Sequence, residues 1–105
     1  MAHYLLFYEL VDNYVERRKP FRVEHLTMAW QSHDRGELVL GGILDEPVDR
    51  AVLFFQGDSP DVARRFAESD PYVLNGLVVR WEVRPWVTVA GTQAATVVRP
   101  EDVPR

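Results

Sequence analysis

Six patterned segments follow one another along this chain in the order strand, helix, strand, strand, helix, strand, and few architectures accommodate that order. It is the order of the ferredoxin-like split βαβ motif. The chain has 105 residues, the usual size of a single domain with one core. We therefore predict one α+β domain, ferredoxin-like (βαββαβ), in which two helices lie on a four-stranded antiparallel sheet.

The four strand segments are rich in aliphatic and aromatic residues, as buried or half-buried strands are. They run from His3 to Val11, from Glu37 to Leu44, from Arg50 to Gly57 and from Leu77 to Val89. Residues 45–49 join the second strand to the third. Their proline and acidic side chains suit a hairpin loop, so antiparallel pairing is expected. Pro85 interrupts the last strand and is expected at a sheet edge or at a bulge.

The first helix follows a charged stretch from Asp12 to Pro20. That stretch is expected to be a loop or the irregular start of the helix, because proline disfavours a helix interior. Apolar residues then recur at helical spacing from Phe21, and Gly36 is typical of the residue that follows a helix. We predict a helix between these two residues.

The second helix is predicted to have Ser59 as its N-cap and Pro60 as its first helical residue. It should end at Asp70, because the residue before a proline disfavours the helical conformation. Its buried stripe is predicted to contain Val62, Ala63, Phe66 and Ala67. A short turn or helical fragment is expected from Val73 to Gly76.

Strand residues are apolar on both faces of the predicted sheet. In the first strand, Tyr4, Leu6, Tyr8 and Leu10 alternate with Leu5, Phe7 and Val11. Helices on one side cover only one face, so the other face needs a cover, and a second copy of the chain is the simplest one. We predict a homodimer whose sheets pack face to face, although Arg80, Glu82 and Arg84 place charge on one face of the last strand.

The composition becomes polar after Gly91, and the last seven residues include two prolines and two acidic residues. We therefore assign residues 1–91 to the domain and residues 92–105 to a polar C-terminal tail. The tail is expected to be loose or to lie as an arm across a neighbouring subunit.

Charge and composition exclude several partners. The formal net charge is −4 and no basic stripe occurs, so nucleic acid is not an expected partner. No apolar run approaches the roughly 20 residues of a membrane span, and the N-terminus lacks the basic region of an export signal. We expect a cytoplasmic protein that binds no membrane. Cysteine, glycine-rich phosphate loops and the Gly-x-Ser-x-Gly motif are all absent, so no cofactor is expected.

The histidines do not form a recognisable set of metal ligands. On an ideal helix His33 is rotated by about 80° from His25, so we interpret His33 as boundary packing. His3 precedes the first strand and has no second ligand near it in sequence. We therefore expect no metal site.

Two short motifs are separated by about one half of the chain: Arg22-Val23-Glu24-His25 at the first helix and Asp70-Pro71-Tyr72 after the second. They resemble the Arg-Pro-x-His and Asp-Pro-Phe/Tyr signatures of the YciI-like (YCII-related) family, with Val23 in place of the first proline. A further difference is Gly41-Gly42-Ile43 in the second strand, where relatives tend to have Gly-Pro. The resemblance covers most of the chain and implies a dimeric α+β barrel.

The resemblance also implies a pocket between sheet and helices in which His25 and Asp70 form a catalytic acid/base pair. A histidine oriented by a carboxylate is able to move a proton near neutral pH. The candidate substrate-binding residues are Arg22, Tyr72 and Gly42. Arg22 lies one helical turn before His25 and so could face the same pocket. Structural interpretations stay open: Asp70 as an N-cap, Arg22 as a solvated side chain, and Gly42 as part of a β-bulge.

Cofactor-free proton transfer is the leading functional hypothesis. A small dimeric YciI-like enzyme would catalyse isomerisation or elimination on enolisable ketones, lactones, quinols or hydroxylated aromatics. Trp30, Trp81 and Trp86 either line an aromatic pocket or pack in the core and in interfaces. A cofactor-independent oxygenase of the same fold is one alternative, and a non-catalytic dimer that binds a small molecule or a protein is another.

Overall fold

A computed structural model describes residues 1–105, and its four strands form one antiparallel sheet. The strands are β1 (Ala2–Leu10), β2 (Leu38–Ile43), β3 (Arg50–Gly57) and β4 (Val78–Trp86). They lie in the order β2-β3-β1-β4, so the first and third strands are central. This is the ferredoxin-like arrangement that the segment order predicts, and the predicted fold class is confirmed.

The helices are α1 (Tyr14–Arg17), α2 (Arg22–Asp34), α3 (Asp61–Ser69) and α4 (Pro71–Leu74). Two short 3-10 segments lie at Lys19–Phe21 and Pro100–Asp102. The helix-facing side of the sheet forms the core, since alternate residues of β1 are buried there with the apolar stripe of α3. These residues are Tyr4, Leu6, Tyr8 and Leu10 from β1, and Val62, Ala63, Phe66 and Ala67 from α3.

The opposite face of the sheet is only partly buried. Leu5 lies opposite Phe54, and Phe7 lies opposite Val52 in the neighbouring strand. All four side chains are half-buried. On the other flank of β1, Arg84 lies opposite Leu5 and Glu82 opposite Phe7, so the charged residues of β4 share this face. We call this surface the open sheet face.

Several predicted boundaries need correction at helix ends. For residues Asp12 to Pro20 the prediction is a loop or the irregular start of the helix, and they contain the single turn of α1 and part of the 3-10 segment that leads into α2. Helix α3 begins at Asp61 and not at Pro60. The Ser59 hydroxyl nevertheless accepts a hydrogen bond from the Asp61 amide at 3.2 Å, so it satisfies one free N–H of the first turn.

The end of β4 and the position of the bulge in β2 also differ from the prediction. β4 ends at Trp86 and not at Val89, because Trp86 pairs with His3 and β1 offers little chain beyond that residue. Pro85 lies in an edge strand, as expected. The register irregularity in β2 falls between Leu38 and Leu40, so the predicted bulge at Gly41-Gly42 is wrong.

The chain after β4 doubles back on itself. The Thr96 amide donates to the Thr88 carbonyl at 3.3 Å, and the Val98 amide donates to the Val89 carbonyl at 2.8 Å. The Thr88 hydroxyl also lies 2.7 Å from Nδ1 of the buried His3. The role of the C-terminal tail as an arm across a neighbouring subunit stays a prediction.

No helix of the chain has the length and apolarity needed to cross a bilayer.

Candidate active site

A cavity of about 400 Å³ lies between α2 and the sheet. It is lined by 18 residues, 12 of them hydrophobic, so it suits an organic molecule with an apolar body. Four of the five candidate catalytic and substrate-binding residues are in this lining: Arg22, His25, Gly42 and Tyr72. The fifth, Asp70, is completely buried and does not line the cavity.

Asp70 lies at the junction between α3 and α4. Its extended backbone (φ −68°, ψ 123°) before Pro71 ends one helix, and its side chain caps the next. Oδ1 accepts a hydrogen bond from the Tyr72 amide at 3.0 Å. The capping interpretation of Asp70 is therefore observed, and it fixes the carboxylate in one orientation.

His25 lies on α2 and reaches this carboxylate across the interior. Its Nδ1 is 2.8 Å from Asp70 Oδ1. The imidazole stacks on the ring of Tyr72, with 3.9 Å between centroids and an interplanar angle of 10°, and its edge faces Phe66. The orientation of the imidazole is thus fixed by its hydrogen bond to Asp70 and by stacking on the Tyr72 ring.

The Asp70 contact assigns the two ring nitrogens of His25. An ionised carboxylate only accepts hydrogen bonds, so Nδ1 carries the proton that it donates to Asp70. Nε2 is then an unprotonated acceptor with no hydrogen-bond partner in the protein. The His25 side chain retains 15% exposure and lines the cavity, so Nε2 is available to a bound molecule.

Tyr8 completes the surroundings of Asp70 and was missed by the sequence analysis. Its hydroxyl donates to Asp70 Oδ2 at 2.7 Å. Burial, followed by the nearby Asp70 charge, strongly raises the pKa of Tyr8, so the phenol stays protonated. Tyr8 was recognised only as part of the apolar stripe of β1. The available signal was its hydroxyl, which needs a partner when the residue is buried.

Replacing Tyr8 by Phe is expected to lower the free energy of unfolding by about 1.5–3 kcal/mol, because it removes a hydrogen bond to a buried charged group. Urea denaturation followed by circular dichroism measures this loss. Tyr4→Phe is the matched control, since Tyr4 is buried on the same face of β1 and its hydroxyl has no hydrogen-bond partner in the protein. Equal losses in the two variants would contradict the assigned hydrogen bond.

Two arginines lie at the Tyr72 end of the cavity. Burial and the neighbouring Tyr14 raise the pKa of Tyr72 to about 12, while the positive charges of Arg22 and Arg18 oppose this rise. Both arginines line the cavity, and the Arg18 guanidinium lies 5.2 Å from the centre of the Tyr14 ring. Arg18 and Tyr14 were not predicted, because their charged and polar neighbours in sequence resemble an ordinary surface stretch.

The remaining candidates divide between the cavity and other surfaces. Trp30 lines the cavity, whereas Trp81 and Trp86 do not. Trp86 instead packs against Phe54 on the open sheet face. A side chain at Gly42 would meet no atom within 4 Å, so this glycine leaves open space at the cavity wall.

His33 also lines the cavity, which corrects its interpretation as boundary packing alone. Its Nδ1 lies 2.8 Å from the carbonyl oxygen of Leu38, and its ring contacts Trp30 edge-on. The partner of His33 is therefore a neutral carbonyl of β2, whereas the partner of His25 is a carboxylate. No group of three or more His, Asp or Glu side chains is placed to hold a metal ion.

Comparisons with known proteins show the fold. A scan against protein-family models and a search of curated proteins each gave no match. Among solved structures, the chain is similar to the 5-chloro-2-hydroxyhydroquinone dehydrochlorinase of Burkholderia phenoliruptrix in complex with 2,5-dihydroxybenzoquinone. The TM-score is 0.68 with 19% identity, over 82% of this chain and 94% of that one.

Two further similar structures are NIPSNAP proteins. A NIPSNAP family protein of Agrobacterium tumefaciens gives a TM-score of 0.58 at 15% identity, over 90% of this chain and 96% of that one. An uncharacterised NIPSNAP-like domain protein of Burkholderia xenovorans gives 0.59 at 16% identity, over 96% and 97%. At these identities the similarities show the fold alone, a ferredoxin-like α+β arrangement that this chain shares with the three structures. Membership of the YciI-like family stays a prediction.

Proposed function

We propose that this protein is a cofactor-free acid/base enzyme in which His25 transfers a proton to or from a small molecule bound in the cavity. The observation that supports this most strongly is the 2.8 Å contact between His25 Nδ1 and the buried Asp70, which leaves Nε2 free at an apolar cavity. Near neutral pH an imidazole both accepts and returns a proton. Isomerisation needs both steps, whereas elimination needs the first step and then loss of the proton to solvent.

In the proposed reaction, Nε2 of His25 removes a proton from a carbon next to a carbonyl group. The electron pair of the broken C–H bond forms the enolate, and Asp70 stabilises the imidazolium produced. In an isomerisation of an unsaturated substrate, the enolate is conjugated with a carbon–carbon double bond, and Nε2 returns the proton to the far carbon of that double bond, so that the double bond moves next to the carbonyl group. In an elimination, the enolate electrons expel a leaving group from the adjacent carbon, and the proton finally passes to solvent. General acid–base catalysis by a positioned side chain typically raises the rate by about 10²- to 10⁴-fold.

The substrate class in this proposal is that of enolisable or hydroxylated ring compounds, including lactones and quinols. The dehydrochlorinase of similar fold acts on a chlorinated hydroxyhydroquinone, and its structure holds a dihydroxybenzoquinone. We propose that the protein is a lyase or isomerase of the YciI-like type and that it acts in the cytoplasm; the dehydrochlorinase is in favour only of the reaction class. The apolar lining and the stacked His25–Tyr72 pair are compatible with a flat ring.

Turnover with and without oxygen tests this reaction type. Enolisable ketones, unsaturated lactones and chlorinated hydroxyquinols are incubated with the protein in air and under nitrogen, while product and dissolved oxygen are measured. We expect equal product yields and no oxygen consumption. Product that forms only in air would favour a cofactor-independent oxygenase, and bound but unchanged compounds would favour a non-catalytic binding protein.

We also propose that the protein is a homodimer formed through the open sheet face. Leu5, Phe7, Val52 and Phe54 form an apolar strip there that the helices do not cover. Apolar surface of this kind is a common basis for association between copies.

Val52→Lys is expected to shift the protein from dimer to monomer, because it buries an unpaired ammonium group in the proposed interface. Sedimentation velocity measures the shift. Leu74→Lys is the control, since Leu74 is 67% exposed on α4 away from this face. A wild-type monomer, or a Val52→Lys dimer as tight as the wild type, would contradict the proposed interface.

A further inference from the structure

The cavity contains two arginines whose charge the protein leaves unpaired. Neither Arg18 nor Arg22 forms a salt bridge or a side-chain hydrogen bond, although Arg35, Arg64 and Arg80 do form them. The Arg18 guanidinium lies over the face of the Tyr14 ring. Other arginines of the chain, such as Arg65, are also unpaired, but Arg18 and Arg22 are distinguished by lining the cavity, where Arg18 is half-buried and Arg22 is exposed.

No carboxylate side chain lines the cavity to balance these charges. The nearest acid in the site is Asp70, which is fully buried behind His25 and already accepts three hydrogen bonds. With His25 neutral, two arginines and one aspartate leave one net positive charge at the site. That balance favours a bound group with one negative charge over a neutral group or a dianion.

The arginines lie at one end of the cavity, close to the proposed base. Along the axis of α2, Arg22 precedes His25 by about 4.5 Å, and His33 follows His25 by about 12 Å. Most of the cavity floor beyond His25 is apolar, with Leu26, Ala29 and Trp30 in the lining. An anionic group at the arginines would therefore lie beside the atom that faces Nε2, with the apolar body pointing towards Trp30.

We propose that the cavity selects ring compounds with a single carboxylate, which Arg18 and Arg22 hold next to the atom that reacts at His25. The position of the reacting atom rests on the proposed function, whereas the preference for a carboxylate does not. Guanidinium groups suit this role because their planar N–H donors match the two oxygens of a carboxylate. A phosphate is disfavoured because the chain lacks a glycine-rich loop to bind its oxygens.

Two probes of equal shape test the preference: 2-naphthoate, which is an anion at pH 7, and 2-naphthamide, which is neutral. Isothermal titration calorimetry measures both against the wild type, Arg18→Gln, Arg22→Gln and the double variant. Arg65→Gln is the control, since Arg65 is an exposed residue of α3 that also has no side-chain partner and lies outside the cavity. Naphthamide binding shows that each variant retains the cavity.

We expect 2-naphthoate to bind at least about tenfold more tightly than 2-naphthamide, and each single variant to weaken naphthoate binding at least about threefold. Naphthamide binding and the Arg65→Gln control should not change, and added salt should weaken only naphthoate binding. Equal affinity for the two probes, no binding of either, or an equal loss in Arg65→Gln would overturn the inference.

His25→Asn separates this inference from the proposed function. That variant should keep the naphthoate preference, because the arginines are intact. If wild-type protein prefers naphthoate but shows no proton transfer, the acid/base function fails and the anion site stands. If proton transfer occurs on neutral ketones while the probes bind equally, only the anion site fails.

Discussion

Replacing His25 by Asn is expected to lower kcat/KM by about 10²- to 10⁴-fold for any compound that the protein turns over, because the variant has no group to accept a proton at the cavity. An amide is not a base near neutral pH, and its shorter side chain does not reproduce the stack on Tyr72. Steady-state kinetics on the substrate found in the ketone, lactone and hydroxyquinol assays measures the change. The loss should appear mainly in kcat, since the arginines that hold the ligand are unchanged.

His33→Asn is the matched control for this prediction. His33 lies on the same helix and lines the same cavity, but its imidazole contacts a backbone carbonyl and not a carboxylate. We expect a change of less than about tenfold, because its ring lacks the charge that would stabilise an imidazolium. Unchanged turnover in His25→Asn, with the fold intact by circular dichroism, would defeat the acid/base proposal.

Removing the Asp70 carboxylate is expected to have the largest effect on stability. Asp70→Ala leaves three donors without an acceptor: the buried Tyr8 hydroxyl, the buried Tyr72 amide and the Nδ1–H of the half-buried His25. A fully buried donor without an acceptor costs about 1–3 kcal/mol, and the half-buried His25 is able to turn to water, so we expect a total loss on the order of 3–5 kcal/mol in the free energy of unfolding. That is a large part of the stability of a small domain. Urea denaturation measures it.

Asp70→Asn separates stability from catalysis at the same position. Its amide oxygen can still accept from the Tyr72 amide, so we expect a smaller loss of stability than in the alanine variant. The negative charge that stabilises an imidazolium is gone, so turnover should still fall by about 10²-fold or more. Asp61→Ala is the control for stability, because Asp61 is exposed and its pair with Arg64 should contribute less than about 1 kcal/mol. A loss in Asp70→Ala no larger than in Asp61→Ala would contradict the buried network.

The fold follows closely from local patterns in the sequence. Alternation in β1 separates the core stripe that contains Leu6 from the open-face stripe that contains Phe7, and the structure keeps both assignments. The stop before Pro71 is also local, since it depends on proline geometry alone. The short helix α1 was missed because a single turn has almost no periodicity to detect, and tertiary contacts of the buried Tyr14 decide its conformation.

The site depends on contacts between distant parts of the chain, which local patterns do not specify. The His25 and Asp70 motifs were found through a resemblance, and the structure brings their side chains together. Tyr8 contacts Asp70 across 62 residues, and nothing near Tyr8 in sequence distinguishes it from Tyr4. Arg18 was missed for the same reason, because its place at the cavity depends on how residues 14–21 turn before α2.

The position of the bulge shows another physical limit of sequence patterns. Two adjacent glycines at Gly41 and Gly42 predict a bulge by conformational freedom, yet the irregularity occurs next to Leu38. Both glycines pair regularly with β3. An added Cβ at Gly41 would meet the Leu53 side chain at 3.4 Å, which is ordinary van der Waals contact, so neither a bulge nor a steric conflict explains the glycine at that position.

Deuterium uptake from heavy water tests most directly whether His25 moves a proton at the cavity. The probe is 2-tetralone, a flat bicyclic ketone with enolisable C–H bonds, and NMR follows the loss of its α-proton signals with wild-type protein, His25→Asn and buffer alone. We expect wild-type protein to accelerate exchange well above the buffer rate and His25→Asn to return it to that rate. Equal exchange in all three samples, with binding of the ketone confirmed, would contradict the assignment of His25 as the base.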